Sequence, residues 1–99
     1  MGNFNLTNKA VEDLSAIWDY TFEVWSETQA DKYYFIILDA CKQLADEIIT
    51  GRNYREVAED ILGYKVGRHI IFYRKTLPDD IEIVRILHIK MDLKTRMVE

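Results

Sequence analysis

The sequence predicts an α+β domain of order β-α-α-β-β-β, a helical hairpin packed on a small antiparallel sheet. Two observations carry this. Residues 62–92 hold three apolar-rich runs separated by turn residues, the first of them alternating apolar and polar side chains, which reads as three strands. Residues 8–50 instead repeat apolar side chains at steps of three and four, the helical period. At 99 residues the chain is expected to be one domain, 1–99, with one core.

The elements follow in order. Phe4 and Leu6 alternate within residues 3–7, which predicts a short edge strand beside the last strand. Thr7 or Asn8 can cap the helix that follows. The apolar stripe Val11, Leu14, Trp18, Trp25, widened by Ile17 and Phe22, predicts a helix over 8–25 with both tryptophans as core anchors. Glu12 and Asp13 lie near its start, where the helix dipole favours carboxylates. Thr28 to Asp31 resembles a capping box. Ala30, Tyr33, Ile37, Cys41, Leu44 and Ile48 predict a second helix over 28–50, stopped by Gly51. The one cysteine, Cys41, reads as a buried small hydrophobe. Residues 52–61 read as a connector.

Leu62–Val66 is a strand, Gly67-Arg68 a II′ hairpin turn, and His69–Lys75 a strand with a continuous apolar centre. Thr76–Asp80 reads as a loop and Ile81–His88 as the last strand. These turns set Val66 opposite His69, Tyr64 opposite Ile71, Lys75 opposite Ile81 and Arg74 opposite Glu82. One face then carries Leu62, Tyr64, Val66, Ile71, Tyr73, Ile81, Ile83 and Leu87. The other carries Lys65, Ile70, Phe72, Arg74, Glu82, Val84, Ile86 and His88. Two helices cover one face well, so the second is expected to lack cover. Arg85 falls among apolar residues, and either pairs with a carboxylate or marks a bulge. After the last strand a helical turn is expected from Asp92.

Charge is uneven. Residues 1–63 hold 5 basic and 12 acidic side chains, residues 64–99 hold 8 and 5. A basic sheet half suits an acidic protein partner or a nucleic acid; the net charge of −4 weighs against tight nucleic-acid binding. No apolar run is long enough to span a bilayer and no signal peptide opens the chain, so the expected compartment is the cytoplasm and no membrane contact is expected. The two histidines lack companions at metal-ligand spacing, so neither a metal nor another cofactor is expected. His88, Arg85, Lys90 and Arg96 cluster at one strand end and could serve a metal-free ribonuclease. The residues themselves favour a solvated strand end over that chemistry.

Several words, in order and spacing, now matter. They are Ala10-Val11-Glu12-Asp13-Leu14 and Ile17-Trp18-Asp19-Tyr20-Thr21, then Gly67-Arg68-His69-Ile70-Ile71-Phe72-Tyr73-Arg74, then Ile83-Val84-Arg85-Ile86-Leu87-His88 before Met91-Asp92. Over nearly the whole chain they resemble the ParE toxins of the RelE/ParE superfamily, the toxin half of bacterial type II toxin–antitoxin modules. The resemblance implies a cognate ParD-like antitoxin, wrapping the toxin with a segment disordered when free, and DNA gyrase as target. The nuclease branch of the superfamily carries an arginine near Ile70 and a tyrosine after the last strand. Here the first position is apolar, and Leu93 and Lys94 follow without a tyrosine. The expected reading is therefore a gyrase-directed toxin without catalytic residues, binding no nucleic acid directly. The alternatives are a RelE-like ribosome-dependent mRNA endoribonuclease and a non-toxic partner-binding module. Antitoxin binding is expected on the less covered face, through Lys65, Arg68, Ile70, Phe72, Arg74, Val84 and Ile86. Target binding is expected through His88, Lys90, Lys94 and Arg96.

Overall fold

The structure is a computed structural model and describes residues 2–99. Its elements are β1 (Asn3–Leu6), α1 (Asn8–Val24), α2 (Glu27–Ala45), β2 (Arg52–Asn53), β3 (Leu62–Val66), β4 (His69–Leu77), β5 (Asp80–His88) and α3 (Leu93–Met97). The sheet has five strands in the order β1-β5-β4-β3-β2. β1 lies beside β5 as expected, but parallel to it. The other neighbours are antiparallel. The short edge strand β2 was not expected; it comes from the connector.

The helical hairpin lies on one face. Thr7 caps α1, its hydroxyl accepting the Ala10 N–H at 3.0 Å. Ala10 and Leu14 are buried. The small side chain of Ala10 lets the helix approach the sheet closely, so the face centred on Ala10, Leu14 and Ile17 points inward. Trp18 is therefore not the core anchor expected of it. It sits half-buried on the outer seam with α2, its indole N–H donating to Asp31 at 3.0 Å and its ring stacked on Phe22 at 5.3 Å. Trp25 is 72% exposed at the end of the helix, a second correction.

α2 buries Ala30, Ile37, Ala40, Cys41 and Leu44. Burial pushes the Cys41 thiol up to about 12, so it is inert as a nucleophile. The helix starts earlier than Thr28 suggests, because Ser26 is the cap and accepts the Gln29 N–H. It also ends earlier than Thr50. Glu47 N–H reaches Leu44 C=O, Ile48 N–H reaches Gln43 C=O, and Glu47 stands at φ 59. This is a Schellman stop with a glutamate where glycine is usual. Gly51 serves a different purpose: its N–H donates to the Tyr73 hydroxyl at 2.8 Å.

The β3–β4 pairing has the expected register, with Gly67 at φ 56 and Arg68 without a positive φ, as a II′ turn needs. β4 and β5 run on to Leu77 and back from Asp80, so the predicted five-residue loop is mostly strand. Arg74 faces Glu82 and Lys75 faces Ile81, as expected, and Tyr73 faces Ile83. The register then shifts, and Phe72 faces Arg85. Val84 is the extra residue, a bulge. One slipped residue exchanges the faces of everything beyond it. Ile86 therefore joins Ile71, Tyr73, Ile81 and Ile83 under the helices. Leu87 joins Ile70 and Phe72 on the other side.

That other side is not short of cover. Tyr54, Val57 and Ile61 of the connector pack on Ile70, Phe72 and Leu87, with Leu93 and Met97 of α3 at the margin. Tyr54 meets Phe72 edge to face at 5.2 Å between ring centroids. Gly63 makes room for this, since a Cβ there would stand 2.5 Å from the Tyr54 ring. Phe72 is 0% exposed. The expected bare face is corrected: the connector and α3 form a second small layer over it.

Candidate functional site

The main concavity lies between the α1 side of the hairpin and the β3–β4 turn, a groove of about 800 Å³. Its apolar wall comes from Ile17, Tyr20 and Val24 of α1 and Trp25 just past its end, with Ile86 and Met91. Tyr20, Val24, Trp25 and Met91 are exposed. Its polar end is built by Tyr33, Arg68, His69 and His88, with Asp13 beside them.

The bulge assembles that end. Continued from Arg74 and Glu82 without a slip, the register would put His69 opposite Leu87. The extra Val84 puts His69 opposite His88. The two imidazoles meet edge to face, centroids 5.2 Å apart. The Tyr33 hydroxyl lies 3.0 Å from Val66 C=O and 2.7 Å from His69 Nδ1. The hydroxyl has one hydrogen for these two contacts, so the direction of its bond to His69 follows the imidazole tautomer. His88 Nδ1 accepts the Lys90 backbone N–H at 3.1 Å. Burial first, and the neighbouring His88 second, hold the His69 ring down to about 4, with Asp13 pulling weakly the other way. Burial also raises the Tyr33 phenol.

Asp13 is engaged elsewhere in the same region. Its carboxylate takes both Nε and Nη2 of Arg85, at 2.7 and 2.8 Å, and the Ile86 N–H at 3.0 Å. Arg85 Nη1 donates to the Arg96 carbonyl. The hydrogen bonds that Arg85 donates to Asp13 raise its pKa above the ordinary value. Both alternatives read for Arg85 thus hold together: it pairs with a carboxylate and adjoins a bulge. Asp13 is not a first-turn dipole residue; it lies past the first turn and points to the sheet.

The structure separates the residues expected to act together. Ile70 and Phe72 are sealed in the second cluster, with Val84 packed at its edge. Ile86 is buried under the helices. Lys65 is exposed on β3, Arg74 partly exposed on β4, and Arg68 exposed at the groove. Of that expected antitoxin set, Arg68 and Ile86 reach the groove. Of the residues expected to meet a target, His88 lines the groove, while Lys90, Lys94 and Arg96 are exposed near and on α3. Of the alternative catalytic set, Arg85 is committed to Asp13. The residue that the fold brings beside His88 is His69, absent from every expected site set. Among the described residues, no group of three or more His, Cys, Asp or Glu stands ready to hold a metal, and no helix is long and apolar enough to cross a membrane.

Residues 4–93 match the family model described as ParE toxin of type II toxin-antitoxin system, parDE. The chain belongs to the ParE toxin family. It is 33% identical over 88 residues to Toxin ParE1 of Mycobacterium tuberculosis (strain H37Rv), covering 89% of this chain and 90% of that protein. It is 26% identical over 97 residues to Toxin ParE1 of Caulobacter vibrioides (strain CB 15), covering 98% and 99%. Its fold is similar to that in a solved structure of the chromosomal ParDE TA system from P. aeruginosa, with a TM-score of 0.74 and 22% identity, covering 91% of this chain and 97% of that one. As a ParE-type toxin of a type II toxin–antitoxin module, the chain has its groove and its histidine pair on a fold shared with that system.

Proposed function

We propose that this ParE-type toxin inhibits growth by acting on DNA gyrase without cutting RNA, and that a cognate ParD-like antitoxin neutralises it by docking in the groove. One observation supports the non-nuclease reading above others. The sheet face where a nuclease would need a cation carries Ile70 and Phe72, both sealed under the connector. RNA cleavage at that face would need the connector removed and a charge supplied.

The groove replaces the sheet face as the proposed antitoxin site. It offers exposed apolar and aromatic side chains for burial, and a cation, Arg68, at its polar end for an acidic segment. That combination suits an amphipathic helix or strand laid in a groove. The exposed Lys90, Lys94 and Arg96 remain the proposed target contacts, outside the groove proper.

A second reading has one observation in its favour. His69 and His88 stand together, as a base for the 2′-OH and an acid for the leaving oxygen would. Two assays separate the readings. Toxin freed of antitoxin is expected to leave mRNA on translating ribosomes uncut, and hydrogen exchange with the antitoxin bound is expected to protect residues 17–25 and 86–91. Ribosome-dependent cutting that His88→Gln abolishes would establish the nuclease instead. Protection confined to β1 or β2 would remove the groove as antitoxin site.

A further inference from the structure

The docking of an acidic segment leaves the histidine pair without a role, because the apolar walls and Arg68 already suffice for an acidic partner. Its geometry says more. Both Nδ1 atoms are occupied, His69 by Tyr33 and His88 by the Lys90 N–H. Among the described residues neither Nε2 has a protein partner, and none of the side-chain nitrogens or oxygens there is both buried and unsatisfied. Each Nε2 is therefore open to the groove that both rings line.

The Lys90 N–H fixes the His88 tautomer: accepting at Nδ1, the neutral ring carries its proton on Nε2 and donates from there. His69 meets the Tyr33 hydroxyl at Nδ1 in either tautomer. Two charged rings at this separation repel, so a charge on one disfavours a charge on the other. Once His69 is protonated, two Nε2–H donors face the groove.

We propose that His69 and His88 form an anion receptor at the polar end of the groove, that it takes a side-chain carboxylate standing beside an apolar residue on the docked antitoxin segment, and that the pair takes up one proton as the carboxylate arrives. The proposal rests on the groove being the antitoxin site. The charged and titratable groups around the pair are Asp13 and Tyr20 of α1, Tyr33 of α2 and Arg68 of the turn. Asp13 does not compete for the site with a like charge, because Arg85 holds both its oxygens. Arg68 adds positive charge for the incoming group. Burial first, and the neighbouring His88 second, keep the empty His69 ring neutral near pH 7. An apolar neighbour on the ligand is required, since Ile17, Val24 and Met91 form the wall next to the pair.

The test uses the purified full chain and 4-phenylbutyrate, which joins a carboxylate to an apolar group. NMR follows both imidazole rings through a pH titration, with 4-phenylbutanol and inorganic phosphate as comparisons. Phenylbutyrate is expected to raise the midpoint of the pair's first protonation by about one pH unit or more, as a nearby opposite charge does. The alcohol is expected to perturb groove resonances without moving the midpoint, and His69→Gln to abolish the shift. His88→Gln, with Tyr33 and His69 intact, is expected to weaken it. An unmoved midpoint overturns the receptor. An equal shift with phosphate overturns the choice of carboxylate and points to a nucleic-acid phosphate. A normal shift with phenylbutyrate, but no groove protection by the antitoxin, leaves the receptor standing and overturns its occupant.

Discussion

Asp13 on α1 holds Arg85 on β5 through two parallel hydrogen bonds of 2.7 and 2.8 Å, and the same carboxylate takes the Ile86 N–H next to the bulge. The pair joins the first helix to the strand opposite the sheet's central one, and Arg85, 7% exposed, reaches on to the Arg96 carbonyl. Asp13→Ala would leave a buried guanidinium and a backbone donor unmatched. The expected cost is about 3–5 kcal/mol by denaturant unfolding, with part regained in the double variant Asp13→Ala, Arg85→Met.

The stop of α2 predicts a gain. Glu47 stands at φ 59, a conformation that costs a side chain and not a glycine. Its ion pair with Lys75 spans 3.7 Å between exposed groups and contributes little. Glu47→Gly is expected to stabilise the fold by about 0.5–1 kcal/mol, read as a higher urea midpoint with an unchanged slope.

Phe72 and Trp25 should behave oppositely. Phe72→Ala opens a cavity in a sealed cluster and is expected to cost about 3–5 kcal/mol of stability. Trp25→Ala removes an exposed ring and is expected to change stability by about 0.5 kcal/mol or less. If the groove takes the antitoxin, Trp25→Ala weakens the complex by about tenfold or more, measured by calorimetry.

Much of this was legible in the sequence, and what was not has a physical cause. The strand order near β3 and β4 followed from turn chemistry at Gly67, and the helix faces around Ile37, Cys41 and Leu44 followed from their spacing. The bulge was foreshadowed by Arg85 but its position was not, since an unpaired residue leaves no mark on strand periodicity. Placing it at Val84 moved Ile86 and Leu87 to opposite faces and brought His69 to His88. Trp18 and Trp25 misled because a stripe shows which residues share a side, and the buried centre of that side was set by Ala10. The cover over Phe72 came from Tyr54, Val57 and Ile61, in a connector too irregular for periodicity to describe. The early end of α2 at Glu47 could not be read, because Gly51 offered a better stop signal than the one used.

The pH dependence of stability carries a sign that can be worked out. Unfolded, the His69 ring titrates near its ordinary 6.5; folded, near 4. Between those values unfolding takes up a proton, so the stabilisation present above about pH 6.5 is lost as pH falls toward 4. Asp46 and Asp92 also lose stabilisation in acid, but their unfolded value is 3.8, below this window. The urea midpoint is expected to be lower at pH 5 than at pH 7.5, and His69→Gln is expected to flatten most of that difference.

The account turns on the target. The deciding measurement is gyrase-mediated DNA cleavage with purified toxin, freed of antitoxin and titrated into a supercoiling reaction. The predicted result is loss of supercoiling with accumulation of gyrase-linked broken DNA, reversed when the cognate antitoxin is added. Unimpaired supercoiling at saturating, folded toxin, with mRNA cut on ribosomes in the same preparation, would contradict it.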